Sequence, residues 1–76
     1  MNKLRRKQLQ EIIDKIEDLK GDLELPQEEE EDYRDNMPEN LQGSERYEMA
    51  EDAISNIEDA VSALDEAISS IEAAAE

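Results

Sequence analysis

Carboxylates are the side chains of this chain that could do chemistry: 23 of its 76 residues are Asp or Glu, against 8 Lys plus Arg and no His. Such groups can move protons, hold cations or show negative charge to a basic surface. Proton transfer needs a concave site that sets two carboxyl groups at different pKa values. Specific calcium binding needs a spacing such as D-x-[DN]-x-[DN]-G, which the sequence lacks. Serine is the other candidate, because Ser55, Ser62 and Ser69 recur every seven residues. That is a helix-face period, and a serine without a nearby base is not an activated nucleophile. There is no Cys, and Gly21 and Gly43 stand alone, so a zinc site of the usual kind and a phosphate loop have no residues to build them. The residues give no reading as an enzyme, and no cofactor or metal is expected. What remains is the display of charge.

Something must hold that charge in place, and the stretch AISNIEDAVSALDEAISSIEA, residues 53–73, says what. It is three near-identical heptads. Large apolar residues follow one another at steps of three and four through Ile54, Ile57, Val61, Leu64, Ile68 and Ile71. With Tyr47 and Ala50 before them and no Gly or Pro after Ser44, the spacing predicts one helix over residues 44–75. Ser44 is a suitable N-cap, and Glu45 and Glu48 suit the positive end of the helix dipole. A strict seven-residue repeat implies coiled-coil packing against a neighbour.

The neighbour is in the same chain. Leu9, Ile12, Ile16, Leu19 and Leu23 repeat the three-four spacing and predict a first helix over residues 3–34, interrupted by Pro26, where a kink or break is expected. Asn36, Pro38, Asn40 and Gly43 mark a turn over residues 35–43 with a short helical turn near Pro38 to Gln42. Two helices of similar length joined by a short turn pack antiparallel. The expected fold is therefore an all-α, single-domain, coiled-coil-like helical hairpin. Its register would pair Leu9 with Ile71, Ile12 with Ile68, Ile16 with Leu64, Leu19 with Val61 and Leu23 with Ile57. Tyr33, Met37 and Leu41 would close the turn end, near Tyr47 and Met49. The same register sets the basic start, Lys3, Arg5, Arg6 and Lys7, beside Glu72, Glu76 and the negative end of the second helix.

A hairpin of this size is short of core, since a chain of 60 to 80 residues buries only about 60% of its unfolded surface. With no disulfide to help, the chain is expected to dimerise into a four-helix bundle. The candidate surface for that is Ile13 together with the line Ala53, Ala60, Ala67 and Ala74.

The formal charge is −15, and outside residues 1–20 there are 19 acidic residues and 2 basic ones. Direct binding to nucleic acid or an anionic membrane is disfavoured by that balance, and a basic protein surface is the expected partner. The candidate contacts are Glu28, Glu29, Glu30, Glu31 and Asp32 of the first helix. On the second they are Glu51, Asp52, Glu58, Asp59, Asp65 and Glu66. Carboxylates one helical turn apart lie about 5–6 Å from each other, a spacing that could imitate a nucleic-acid backbone. No apolar run is long enough to span a bilayer, and the basic opening leads into no signal-peptide core, so the expected location is the cytoplasm.

Residues 33–68, YRDNMPENLQGSERYEMAEDAISNIEDAVSALDEAI, resemble small acidic proteins of unknown function encoded by phages, prophages and mobile elements of Gram-positive gut bacteria. NMPENLQGSE carries most of the likeness, and the Ala/Ile heptads that follow it are generic. The resemblance implies a helical hairpin in the cytoplasm of a bacterial host and brings no site residue with it. It also implies inhibition of a host-defence protein, such as a CRISPR or restriction nuclease, as the use of the acidic surface. Gly21 and Pro26 depart from a smoother first helix in those proteins. The competing expectation is a structural or assembly module that binds a partner helix through its apolar seam, with the acid serving solubility.

Overall fold

A computed structural model describes residues 1–76. It contains two α-helices, α1 (Lys3–Asp35, 33 residues) and α2 (Glu45–Ala74, 30 residues), packed side by side as an antiparallel hairpin. The Cα trace measures 60 × 16 × 11 Å. Neither helix is long and apolar enough to cross a membrane.

Each helix start is set by a local hydrogen bond. The Asn2 side chain accepts the Arg5 N–H at 2.8 Å, and the Ser44 hydroxyl accepts the Tyr47 N–H at 3.4 Å. These caps satisfy first-turn donors that have no partner inside the helix. Between the helices, Glu39–Leu41 form a single 3-10 turn after Pro38. Gly43 then turns the chain at φ +87°, a left-handed conformation that glycine adopts without penalty. At the far end the Arg6 Nε donates to the Ala75 carbonyl at 3.0 Å, clasping the start of α1 to the end of α2. The basic opening does meet the end of α2, through that one contact.

Helix α1 runs unbroken through Pro26, so the break expected there is absent. Proline lacks the N–H that would bond to the Asp22 carbonyl. Both residues are exposed, and water can take that carbonyl.

The seam departs from expectation on α1. Its inward residues are Leu9, Ile13, Ile16, Lys20, Leu23, Gln27, Glu30 and Arg34, facing Tyr47, Ala50, Ile54, Ile57, Val61, Leu64, Ile68 and Ile71 of α2. Ile13, Ala50, Ile54 and Ile68 are buried, at 3–8% exposure. Ile12 and Leu19, expected inside, are 43% and 54% exposed. Ile13, expected on an outer association surface, sits in the seam instead. The reason is a choice between two lines that share Leu9, Ile16 and Leu23. One adds the residue three further on (Ile12, Leu19, Pro26, Tyr33), the other the residue four further on (Ile13, Lys20, Gln27, Arg34). Turning the second line inward leaves Pro26 and its orphan carbonyl in solvent and brings Lys20 against Asp65. Long Lys and Arg stems can cover apolar surface while their charged ends reach the rim. At the turn end Met37 and Tyr47 are half-buried, whereas Tyr33, Leu41 and Met49 are exposed.

The two glycines should respond oppositely to alanine. A Cβ at Gly21 meets nothing within 4 Å, so Gly21→Ala should raise stability by about 0.5–1 kcal/mol, the usual gain in a helix interior. Gly43→Ala forces a side chain into φ +87° and should cost about 1–2 kcal/mol. Urea unfolding followed by circular dichroism checks both, and shifts of the same sign would contradict the assignment of the two sites.

Candidate functional site

Seven residues of an α-helix make almost two turns, so residues seven apart lie along one edge. Helix α1 carries Glu17, Glu24 and Glu31 at that spacing, and α2 carries Glu51, Glu58, Asp65 and Glu72. Two contacts place these lines on the same side of the hairpin. Lys20 pairs with Asp65 while Glu17 and Glu24 also act on it, and Arg34 lies within the field of Glu51. The result is an acidic edge drawn from both helices, with Lys20 and Arg34 set into it from the seam.

The electrostatics of the edge follow from these pairs. The Lys20 ammonium is held above its ordinary value by its hydrogen bond to Asp65, with Glu17 and Glu24 adding to the effect. The Arg34 guanidinium, whose Nε donates to Asp35 at 3.0 Å, is stabilised in its charged form in the same way. Both pairs are open to solvent, so each contributes little to stability. Their consequence is placement: they direct two cations into the acidic edge and leave its outer carboxylates unpaired. Gln27 donates to Glu31 at 3.3 Å and fixes the last carboxylate of the α1 line.

The expected contacts divide. Glu31, Glu51, Glu58 and Asp65 lie on the shared edge. Asp52, Asp59 and Glu66 point from the back of α2, and Asp32 from the back of α1. Glu28 stands between edge and back, and Glu29 on the opposite flank, because consecutive helical residues are about 100° apart and a run of acids cannot line one face. Glu30 is half-buried in the seam, in a hollow with Tyr33, Arg46 and Ala50. Glu17, Glu24 and Glu72 also belong to the edge, beyond the expected contacts, and their seven-residue spacing is the signal that places them there. Of the small-residue line, Ala53 and Ala67 flank the seam half-buried, while Ala60 and Ala74 are exposed. No three Asp or Glu residues converge as metal ligands would.

Comparison with protein-family models, with curated proteins and with solved structures finds no match to this chain.

Tyr47 offers a probe of the edge near the turn. Its partial burial, and then the Glu51 carboxylate beside it, push the phenol above the ordinary 10.0. A phenol raised in the fold favours the neutral form, so its contribution to stability is full below the unfolded value and is lost as pH rises through the higher folded value. Ultraviolet titration should show one tyrosine ionising above 10.0, the phase vanishing in Tyr47→Phe and reverting to the ordinary value in urea. A Tyr47 phase at or below the ordinary value in the folded chain would contradict this geometry.

Proposed function

We propose that this chain is a small, non-catalytic interaction protein whose acidic edge occupies a basic, nucleic-acid-binding surface of a partner protein. One observation carries the reading: carboxylates from both helices gather on one edge, and the only cations set among them are Lys20 and Arg34. Along each helix the carboxylates of the edge recur about every 10.5 Å, sparser than the phosphates of a DNA strand at about 3.4 Å each. The match to nucleic acid is therefore one of field and length, not of phosphate-by-phosphate pitch. The resemblance to phage and mobile-element proteins makes a host-defence nuclease in a bacterial cytoplasm the partner we favour. A bend of α1 at Pro26, and self-association of two hairpins into a four-helix bundle, complete the proposal.

The second reading is an assembly module that binds a partner helix through apolar contacts. It is favoured by the exposure of Ile12 and Leu19 on α1. Salt separates the two. Exposed charges are screened beyond about 8–10 Å at 0.1–0.15 M salt, whereas apolar burial is not. Capture from a bacterial host lysate at low and high salt should retain a basic partner at low salt only. Reversing Glu51, Glu58 and Glu72 to Lys, which leaves the Lys20–Asp65 pair in place, should abolish that capture while the helical spectrum persists. Retention of the same partner by the reversed chain would sink the acidic-edge reading, and capture unaffected by salt would favour the assembly module.

A further inference from the structure

The flank opposite the acidic edge has a different composition. On α1 it carries the line the seam left over: Ile12, Leu19, Pro26 and Tyr33, with the three large side chains 43–54% exposed. On α2 it carries Ala53, Ala60 and Ala67, and the next line outward, Asn56, Ala63 and Ser70, is uncharged as well. The hollow at the turn end shared by Tyr33, Met49, Ala50 and Ala53, together with Glu30 and Arg46, places the two lines on one side of the hairpin. In a chain of net charge −15, this half of α2 is free of acid.

The elongated hairpin exposes enough surface to accommodate a partner. A compact monomer of 8.7 kDa has an accessible surface of about 4,700 Å² by the scaling for globular proteins. This chain exposes 5799 Å², an excess of about 1,100 Å² over that scaling. A standard protein interface covers about 800 Å² per partner.

We propose that a second copy of this chain docks on the face formed by Ile12, Leu19, Tyr33 and Ala53, Ala60, Ala67, with α1 of each copy lying over α2 of the other. This inference rests on the self-association reading above and names its surface. The face is self-complementary: a line of bulky side chains on one helix runs beside a line of alanines on the other. A two-fold axis along the helices sets each bulky line over the partner's small one, as an isologous interface requires. Because Lys20 meets Asp65 within the chain, Leu19 lies nearly level with the Ala60–Ala67 interval and would enter it on the partner. Tyr33 falls level with Met49 and Ala53. A partner helix of other origin would lack that reciprocal match. Docking here also keeps the two acidic edges on opposite sides of the dimer, where their repulsion is least.

Sedimentation equilibrium of the full chain, across nanomolar to high micromolar concentration, tests the proposal. A reversible dimer is expected. Leu19→Glu and Ala60→Glu should each raise its dissociation constant by about a hundredfold, since each change is made in both copies and loses apolar burial. Ser62→Glu adds the same charge on a different, exposed flank and should change it less than about threefold. Circular dichroism confirms that the helices persist, and exposed Ala60 is the safer site should Leu19→Glu unfold. A monomer throughout overturns both self-association and the face. A dimer that withstands Ala60→Glu, or that Ser62→Glu weakens equally, overturns the face alone.

Discussion

The placement of Lys20 decides how this hairpin divides its surface. Leu9, Ile16 and Leu23 fix one line of α1 against α2, and the second inward line could lie on either side of it. Pairing Lys20 with Asp65 turns the line Ile13, Lys20, Gln27 and Arg34 inward. That rotation has two effects at once. It gathers Glu17, Glu24 and Glu31 beside the α2 acids, and it turns Ile12, Leu19 and Tyr33 out on the other flank. Neither face would exist in the alternative rotation, in which the apolar residues would be spent on the seam. The ion pair is solvent-exposed and weak in itself. It marks the packing that is adopted, and keeping Pro26 and its orphan carbonyl out of the seam favours the same choice.

The seam that results is thin. Ile13, Ala50, Ile54 and Ile68 are its only buried residues, and beyond Leu23 α1 offers Gln27, Glu30 and Arg34 to the apolar side of α2. Short range and long range share the stabilising role. Asn2 and Ser44 hold the helix starts, Gly43 permits the tight reversal, and Arg6 closes the open end on the Ala75 carbonyl. Such an arrangement sets two antiparallel helices side by side along a narrow seam. A surface that exceeds that of a globule of this mass is the direct consequence.

Helix and turn were legible in the residues because their signals are local. The uninterrupted heptads of α2, the Asn, Pro and Gly cluster and the Ser44 cap each point to one structure without reference to anything distant. The all-helical, two-helix packing follows from them. The inward line of α1 was not legible in the same way. Ile12, Leu19 and Tyr33 recur as faithfully as a core stripe, and apolar periodicity alone prefers them to Lys20, Gln27 and Arg34. Only the partner helix breaks the tie, through the position of Asp65 and the cost of facing Pro26 inward. The acidic site suffered the converse error. Glu28, Glu29, Glu30, Glu31 and Asp32 look like one patch when read along the chain, yet a helix spreads five consecutive residues around its whole circumference. Spacing, rather than local density, identifies Glu17, Glu24 and Glu72 as companions of Glu58 and Asp65.

The two faces constrain each other's use. Acid on one flank lowers the tolerance for a second copy there, since unscreened like charges repel across less than a Debye length, about 8 Å at physiological salt. The flank of Ile12, Leu19 and Tyr33, free of acid on α2 and bearing Asp22 and Glu29 on the outer line of α1, is thus the route by which two copies oppose least of their own charge. With that flank covered, the acidic edges face away from each other along the full length of the molecule. A dimer built this way presents two equal acidic edges rather than one doubled edge. A partner with a single basic groove would gain nothing from the second edge. A partner that is itself two-fold symmetric, or that repeats its basic surface, would bind with a second event made effectively intramolecular. The geometry of the covered face thereby sets which kind of basic partner the acidic edge can hold most tightly.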